Sequence, residues 1–300
     1  MIITSFGTEG YEKYGRRFIE TFLEHWKDET LVVYYETLPE DRTQDERVEW
    51  RDLFSIPNTP AFYEKMMASP KIFQGVRTPK GRQLYDYRFD AYRFCRKVFA
   101  TVDAALRPPE PEERMAWVDA DVVFHSDVPD GFLKSILPDE AYTAYLGRES
   151  MYTETGFVAF NPSHPAHSPF MRLYGDMYVT GAFKFLGEWH DCYVYDMTRT
   201  VMGVPGVDLS GGLECEHPFI NSVLGQYMDH LKGPTRKTQG HSNKADMLPE
   251  GMNPNTDHSY WKDVADGVVG KSVKDVVEAE LGAPAVSLKD AYTKQAVPHE

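Results

Sequence analysis

Met115-Ala116-Trp117-Val118-Asp119-Ala120-Asp121-Val122-Val123-Phe124 is the stretch that decides how this chain folds and what it holds. Four apolar residues predict a buried strand, and the apolar run resumes directly after two carboxylates one residue apart. Packing alone gives no reason for such a strand to end on charge, because each unpaired charge near a core costs several kcal/mol. A bound divalent cation removes the conflict. Hard oxygen ligands suit Mg²⁺ or Mn²⁺, and such ions keep open positions that phosphate oxygens fill. In an extended segment the side chains at i and i+2 share a face, so Asp119 and Asp121 would both reach one ion, directly or through water. The plainer alternative, two surface carboxylates at a strand end, fits poorly with the apolar residues on both sides. The chemistry implied is that of a metal-dependent enzyme acting on a phosphorylated donor.

Working outward, Ile2 to Phe6 reads as a first strand and Gly7-Thr8-Glu9-Gly10 as a turn. Tyr11 to Trp26 reads as an amphipathic helix with Phe18, Phe22 and Trp26 at helical spacing, and Leu31 to Tyr35 as a second strand. Strand, helix, strand at this spacing is a βαβ unit, which builds a parallel sheet with ligands beyond its carboxyl ends where the strand order reverses. Pro39 to Gly81 is charged and irregular, which predicts loops or small helices. A helix is expected over Tyr87 to Ala105, ended by the proline-rich run Pro108-Pro109-Glu110-Pro111. Tyr152 to Asn161 reads as a strand, Phe170 to Phe185 as a helical pattern, and Phe219 to Met228 as the approach to a final core strand. From Lys237 polar residues, Gly and Pro increase. The expected division is therefore a catalytic domain over residues 1–240 and a partly ordered C-terminal extension over 241–300, with Val273 to Leu281 as one short helix.

The chain has 300 residues, enough for one large α/β domain. Lys and Arg total 32 against 46 Asp and Glu, a formal charge of −14, which argues against an extended nucleic-acid footprint. Three widely spaced cysteines, Cys95, Cys192 and Cys215, fit free thiols in a reducing compartment. The opening Met1-Ile2-Ile3-Thr4 carries no basic leader, and no segment approaches the roughly 20 apolar residues of a membrane span. A cytoplasmic address is the expectation, and self-association is left open.

Three further segments carry chemistry. His230-Leu231-Lys232-Gly233-Pro234-Thr235-Arg236-Lys237 closes an apolar strand with an imidazole that a metal can use. There Gly233 permits close backbone approach, and Arg236 or Lys237 would face diphosphate charge. In Glu188-Trp189-His190-Asp191 a carboxylate beside an aromatic ring and an imidazole suits sugar hydroxyls, so Asp191 or Glu188 would face a donor sugar. Glu154 is an acid entering a core strand two residues before Gly156, which suggests ligand binding, with a rim salt bridge as the competing reading. Arg93 and Lys97 lie one helical turn apart, and both could point toward phosphate, although for any single Arg a solvated helix face is the favoured reading.

Taken in order, the first strand, the Asp-x-Asp strand, the Gly-containing strand and the terminal His-x-x-Gly-x-x-basic turn resemble the glycosyltransferases of family 8, the glycogenin and galactosyltransferase relatives. That resemblance implies an α/β fold, a single Rossmann-like nucleotide-binding domain whose mixed central sheet is flanked by helices, the glycosyltransferase A-type. It implies Mn²⁺ (or Mg²⁺) held by Asp119, Asp121 and His230, a UDP-sugar donor, and transfer of a hexose to a hydroxyl acceptor with retention. The acceptor would be a glycan, a lipid-linked or a small hydroxyl compound. Within Ile3-Thr4-Ser5-Phe6-Gly7-Thr8-Glu9-Gly10-Tyr11 the resemblance places Tyr11 on uracil, and Thr4 matches in type. Glu154-Thr155-Gly156 stands where the family has Asn-Ser-Gly, Glu188-Trp189-His190-Asp191 lies near its Gly-Asp-Gln-Gly, and Arg236-Lys237 replaces Lys-Pro-Trp.

Two other readings compete. Asp119-Ala120-Asp121-Val122-Val123 also fits the nucleophile motif of haloacid-dehalogenase-like phosphatases, with Asp191 and Asp196 as a late acidic pair, although that motif normally follows the first strand. A non-catalytic nucleotide or glycan binder is the third.

Overall fold

A computed structural model describes residues 1–68, 71–107, 114–148, 150–213, 215–249, 251–267 and 269. The strands are β1 (Ile2–Phe6), β2 (Leu31–Tyr35), β3 (Val48–Asp52), β4 (Val76–Arg77), β5 (Leu84–Tyr85), β6 (Met115–Val118), β7 (Val122–Phe124), β8 (Thr143–Leu146), β9 (Glu154–Phe160), β10 (Gly206–Asp208) and β11 (Met228–His230). Seven of them form one mixed sheet in the order β10-β8-β9-β6-β1-β2-β3. In that sheet β9 runs antiparallel to both of its neighbours, β6 and β8, while the other pairings are parallel. The fold is α/β with helices on both faces.

Both faces are apolar because the central strands are covered twice. On one side Ile2, Phe6, Leu31 and Val33 meet Phe18, Phe22 and Trp26, whose rings gather around Phe124 at centroid distances of 5.5–5.9 Å. Each of these buried side chains contributes roughly 2–3 kcal/mol through burial. On the other side Ile3, Val32, Tyr34 and Trp117 pack under the helices Ala91–Ala105, His167–Val179 and Asp191–Met202. Continuous apolar strands of this kind are what a sheet buried on both faces requires.

The chain passes from β1 through β2 to the edge strand β3, then returns to the other side of β1 as β6. Strand order therefore reverses between β1 and β6, and a crevice opens beyond their carboxyl ends. A two-stranded ribbon, β7 with β11, pairs Val122 with His230 and carries that imidazole back to the crevice.

Several expectations change on contact with the structure. The first helix begins at Thr8 rather than Tyr11 and passes through a π-turn over Tyr11–Gly15 before Arg16–His25. Within Pro39 to Gly81 lies β3, a sheet strand missed because Val-Glu-Trp-Arg-Asp is an edge strand in which only Val48 is buried, so it carries no apolar run. The long helix starts at Ala91, where the Asp90 carboxylate accepts from the Arg93 backbone N–H as an N-cap. The pattern over Phe170 to Phe185 resolves into a helix, His167–Val179, and a separate 3₁₀ turn, Ala182–Phe185. From beyond residue 240, Trp261 is fully buried in the same core as β1 and donates to the Gly225 carbonyl. The short helix expected over Val273 to Leu281 lies outside the described residues. Among the described residues no helix is long and apolar enough to cross a membrane.

Candidate active site

A cavity of about 700 Å³ occupies the crevice between β1 and β6. Ser5, Phe6 and Gly7 from the end of β1 and Asp119, Ala120 and Asp121 from the end of β6 form its floor. The β6–β9 ladder continues one residue past the strand, with the Asp119 N–H donating to the Gly156 carbonyl. Val122 N–H then donates to the Asp119 carbonyl at 3.0 Å, so Asp119-Ala120-Asp121 is a tight turn and not the extended segment expected. Both carboxylates still face one space, because the turn folds them toward β11.

His230 completes the group. Its Nε2 lies 3.2 Å from Asp121 Oδ1 and 3.8 Å from Asp119 Oδ2, and one ligand atom from each of the three residues falls within 4.8 Å of the others. On its far side Nδ1 meets Glu154 Oε1 at 2.9 Å, and Lys232 pairs with the other oxygen of Glu154. Gly233, at φ +76°, turns the chain sharply after Lys232 in a conformation that glycine adopts without strain.

Two lysines neutralise the aspartates. Lys237 Nζ lies 2.7 Å from Asp121 Oδ2. Lys97 Nζ donates to Asp119 Oδ1 at 2.8 Å and also sits 3.0 Å from Asp191 Oδ2. Trp117 Nε1–H donates to the same Asp119 oxygen at 2.6 Å. Burial by itself would push the Asp121 carboxyl up, but the His230 imidazolium and the Lys237 ammonium outweigh it and hold that carboxyl well below the usual range. Burial likewise disfavours the His230 cation, and the charge and hydrogen bonds of Asp121 and Glu154 reverse this, raising it to about 9. Lys97 is held above the ordinary lysine range because Asp119 and Asp191 together outweigh its desolvation. The lining holds Arg93, Arg96, Lys97, Arg148, Lys232 and Lys237, more cations than the five carboxylates of Glu36, Asp119, Asp121, Glu154 and Asp191. The acid excess of the whole chain is reversed here.

The structure gathers Arg93, Asp119, Asp121, Glu154, Asp191, His230, Gly233 and Lys237 around one cavity. Four other candidates do not line it among the described residues. Thr4 is fully buried within β1, its hydroxyl enclosed without a protein partner. Tyr11 is 1% exposed and packs its ring against Phe6 and Trp50, because the helix starts three residues early and turns Tyr11 into the core. Tyr14, three residues on, faces the cavity instead, with Lys237 Nζ 4.9 Å from its ring centre. Arg236 is turned away to Asp246, leaving Lys237 as the basic residue of that pair at the cavity. Glu188 accepts from His190 Nε2 at 2.7 Å and lies near Arg88; the imidazole, not the carboxylate, reaches the lining.

Sequence reasoning also passed over Lys232, Tyr14 and an aromatic rim in which the Tyr87 and Tyr152 hydroxyls meet at 2.6 Å above His190. Lys232 could have been found by its place two residues after His230. Nothing local marks Tyr87 and Tyr152 as partners across 65 residues.

The donor set fits a hard divalent cation: two carboxylates and one imidazole converge beside cationic side chains suited to phosphate oxygens. A second group, His190, Asp191 and Cys192, fits a hard cation less well, since it offers a soft sulfur in place of a second carboxylate and burial beside Asp191 pushes the Cys192 thiol up to about 12.

No family model and no curated protein matches this chain. Among solved structures it is similar to the apo form of mouse xyloside xylosyltransferase 1, with 14% identity and a TM-score of 0.43 over 69% of this chain and 84% of that one. The apo glycosyltransferase GlyE of Streptococcus pneumoniae TIGR4 is similar at 13% identity and a TM-score of 0.40, over 70% of this chain and 45% of that chain.

Proposed function

We propose that this chain is a metal-dependent glycosyltransferase that moves a hexose from a UDP-sugar to a hydroxyl acceptor, with retention of configuration. The observation that carries the reading is the convergence of Asp119, Asp121 and His230 at the strand-order reversal, within a cavity where cations exceed carboxylates. Motif resemblance supplies the uridine nucleotide, the hexose and retention.

Asp119, Asp121 and His230 would hold Mn²⁺ or Mg²⁺, which when bound supplies charge neutralisation for the departing diphosphate. Lys237 and Lys232 stand beside that group and add positive charge at the diphosphate oxygens. Arg93 lines the same space. Asp191, buried and fixed by Lys97 and Thr155, offers a preorganised acceptor for a hydroxyl of the donor sugar. Tyr14 takes the position facing the nucleotide that Tyr11 was expected to hold. The catalytic unit spans residues 1–240 with 241–267 packed on it, and acts in the cytoplasm on a glycan, lipid-linked or small hydroxyl acceptor.

The phosphatase alternative needs Asp191 and Asp196 as a pair at the Asp119-Asp121 site. Asp196 instead accepts from the Thr153 backbone N–H and hydroxyl, each at 2.6 Å, and lines a separate small pocket with Arg199. A panel of nucleotide sugars with Mn²⁺, scored for released UDP or GDP, tests the proposal. At least one UDP-sugar should turn over, and Asp121→Ala should abolish that turnover with the fold intact. Unchanged turnover in Asp121→Ala refutes the assignment, and tight UDP binding without sugar release or transfer would favour the non-catalytic reading.

A further inference from the structure

On β9, Glu154 and Gly156 share one face, two residues apart, and His230 is seated against both. A Cβ on Gly156 would lie 2.6 Å from His230 Cε1 and 2.7 Å from Nδ1, closer than any side chain tolerates, so the glycine is the notch that admits the imidazole. Glu154 then meets the ring from below the notch, 2.9 Å from Nδ1, and is itself only 4% exposed. Lys232 pairs with the second Glu154 oxygen, so both oxygens of this buried carboxylate have a partner. With Nδ1–H committed to Glu154, the ring's other nitrogen is the one directed at Asp121 and Asp119.

We propose that Glu154 is a positioning residue for the cation site: it fixes the plane and tautomer of His230 through Nδ1, so that Nε2 is presented to a divalent ion shared with Asp119 and Asp121. This rests on the reading that those three side chains hold such an ion. Outer carboxylates of this kind raise the basicity of a ligating imidazole and orient it, and their loss costs roughly 10–100-fold in metal affinity. The role differs from the donor contact expected of Glu154 from sequence: its two oxygens are already engaged by His230 and Lys232.

Mn²⁺ affinity, read by calorimetry and electron paramagnetic resonance without any sugar donor, separates the outcomes. Glu154→Leu is expected to lose roughly 10–100-fold in Mn²⁺ affinity, and Glu154→Gln, whose amide oxygen can still accept from Nδ1–H, to recover most of it. In metal-free protein, the His230 Nδ1–H proton resonance should be protected from exchange in wild type and Glu154→Gln and lost in Glu154→Leu. If Glu154→Leu does not fold, Glu154→Asp serves: it keeps the charge opposite Lys232 but withdraws from Nδ1, and roughly tenfold weaker Mn²⁺ binding is expected. Wild-type protein that binds no Mn²⁺ overturns the cation reading and this proposal with it. Wild-type binding that Asp121→Asn abolishes but Glu154→Leu or Glu154→Asp leaves within twofold overturns the positioning role alone.

Discussion

Lys237 Nζ stands 2.7 Å from Asp121 Oδ2, on the opposite carboxylate oxygen from the one that faces His230. The ammonium therefore competes for the same carboxylate a cation would use while offering charge to a diphosphate. Replacing it by methionine should separate these effects. Lys237→Met is expected to bind Mn²⁺ alone severalfold more tightly and UDP with Mn²⁺ about fivefold more weakly, the size of a partly exposed ion pair worth about 1 kcal/mol. Titration calorimetry of both ligands checks it, and parallel loss of both affinities would contradict it.

Lys97 is the shared counter-ion of Asp119 and Asp191, and its side chain is 13% exposed. Removing it leaves the buried Asp191 and the partly exposed Asp119 without their shared cation. Lys97→Met should lose about 3–5 kcal/mol of folding stability in guanidinium unfolding. A loss under about 1 kcal/mol would show that solvent reaches these groups.

Gly156→Ala places a methyl group within 2.6 Å of the His230 ring. The ring must shift, at a cost of about 1–3 kcal/mol, and Nε2 must leave its position beside Asp121. Mn²⁺ binding should weaken by at least tenfold while circular dichroism stays that of the wild type; unchanged binding would mean that the imidazole plays no part.

His125 is stacked on Tyr260 at 3.8 Å, and burial followed by the nearby His258 lowers it from 6.5 to about 3. Between these values the unfolded chain binds a proton that the folded chain does not. The sign follows: stability is present above pH 6.5 and is lost as pH falls below it. His125→Phe keeps the stack and removes the titration. The stability difference between wild type and His125→Phe should therefore move by about 1.4 kcal/mol against the wild type from pH 7.5 to 5.5. A constant difference would contradict the assignment.

What the sequence disclosed depended on how many faces of each segment are buried. Leu31 to Tyr35 and Met115 to Val118 are covered on both sides and read as unbroken apolar runs, and Ile2 to Phe6 is broken only by Thr4 and Ser5, which made the central sheet legible. Val48–Asp52 pairs on one edge only, and Gly206–Asp208 is three residues long, so neither carries a periodic signal. At the site, chemistry was readable and phase was not. Tyr11 and Tyr14 exchange places because the helix starts early and passes through a π-turn, and Arg236 and Lys237 diverge because adjacent helical residues point about 100° apart. Glu188 was a plausible sugar ligand by type, but its carboxylate is taken by His190, two residues along the chain.

The central claim is that one divalent ion is gripped by Asp119, Asp121 and His230 beneath a nucleotide diphosphate. Anomalous diffraction from crystals grown with Mn²⁺ and UDP tests this most directly. The account expects a single manganese peak ligated by those three side chains and by diphosphate oxygens, with Lys237 beside the diphosphate. Well-ordered UDP with no manganese at this position, or manganese bound away from His230, would contradict it.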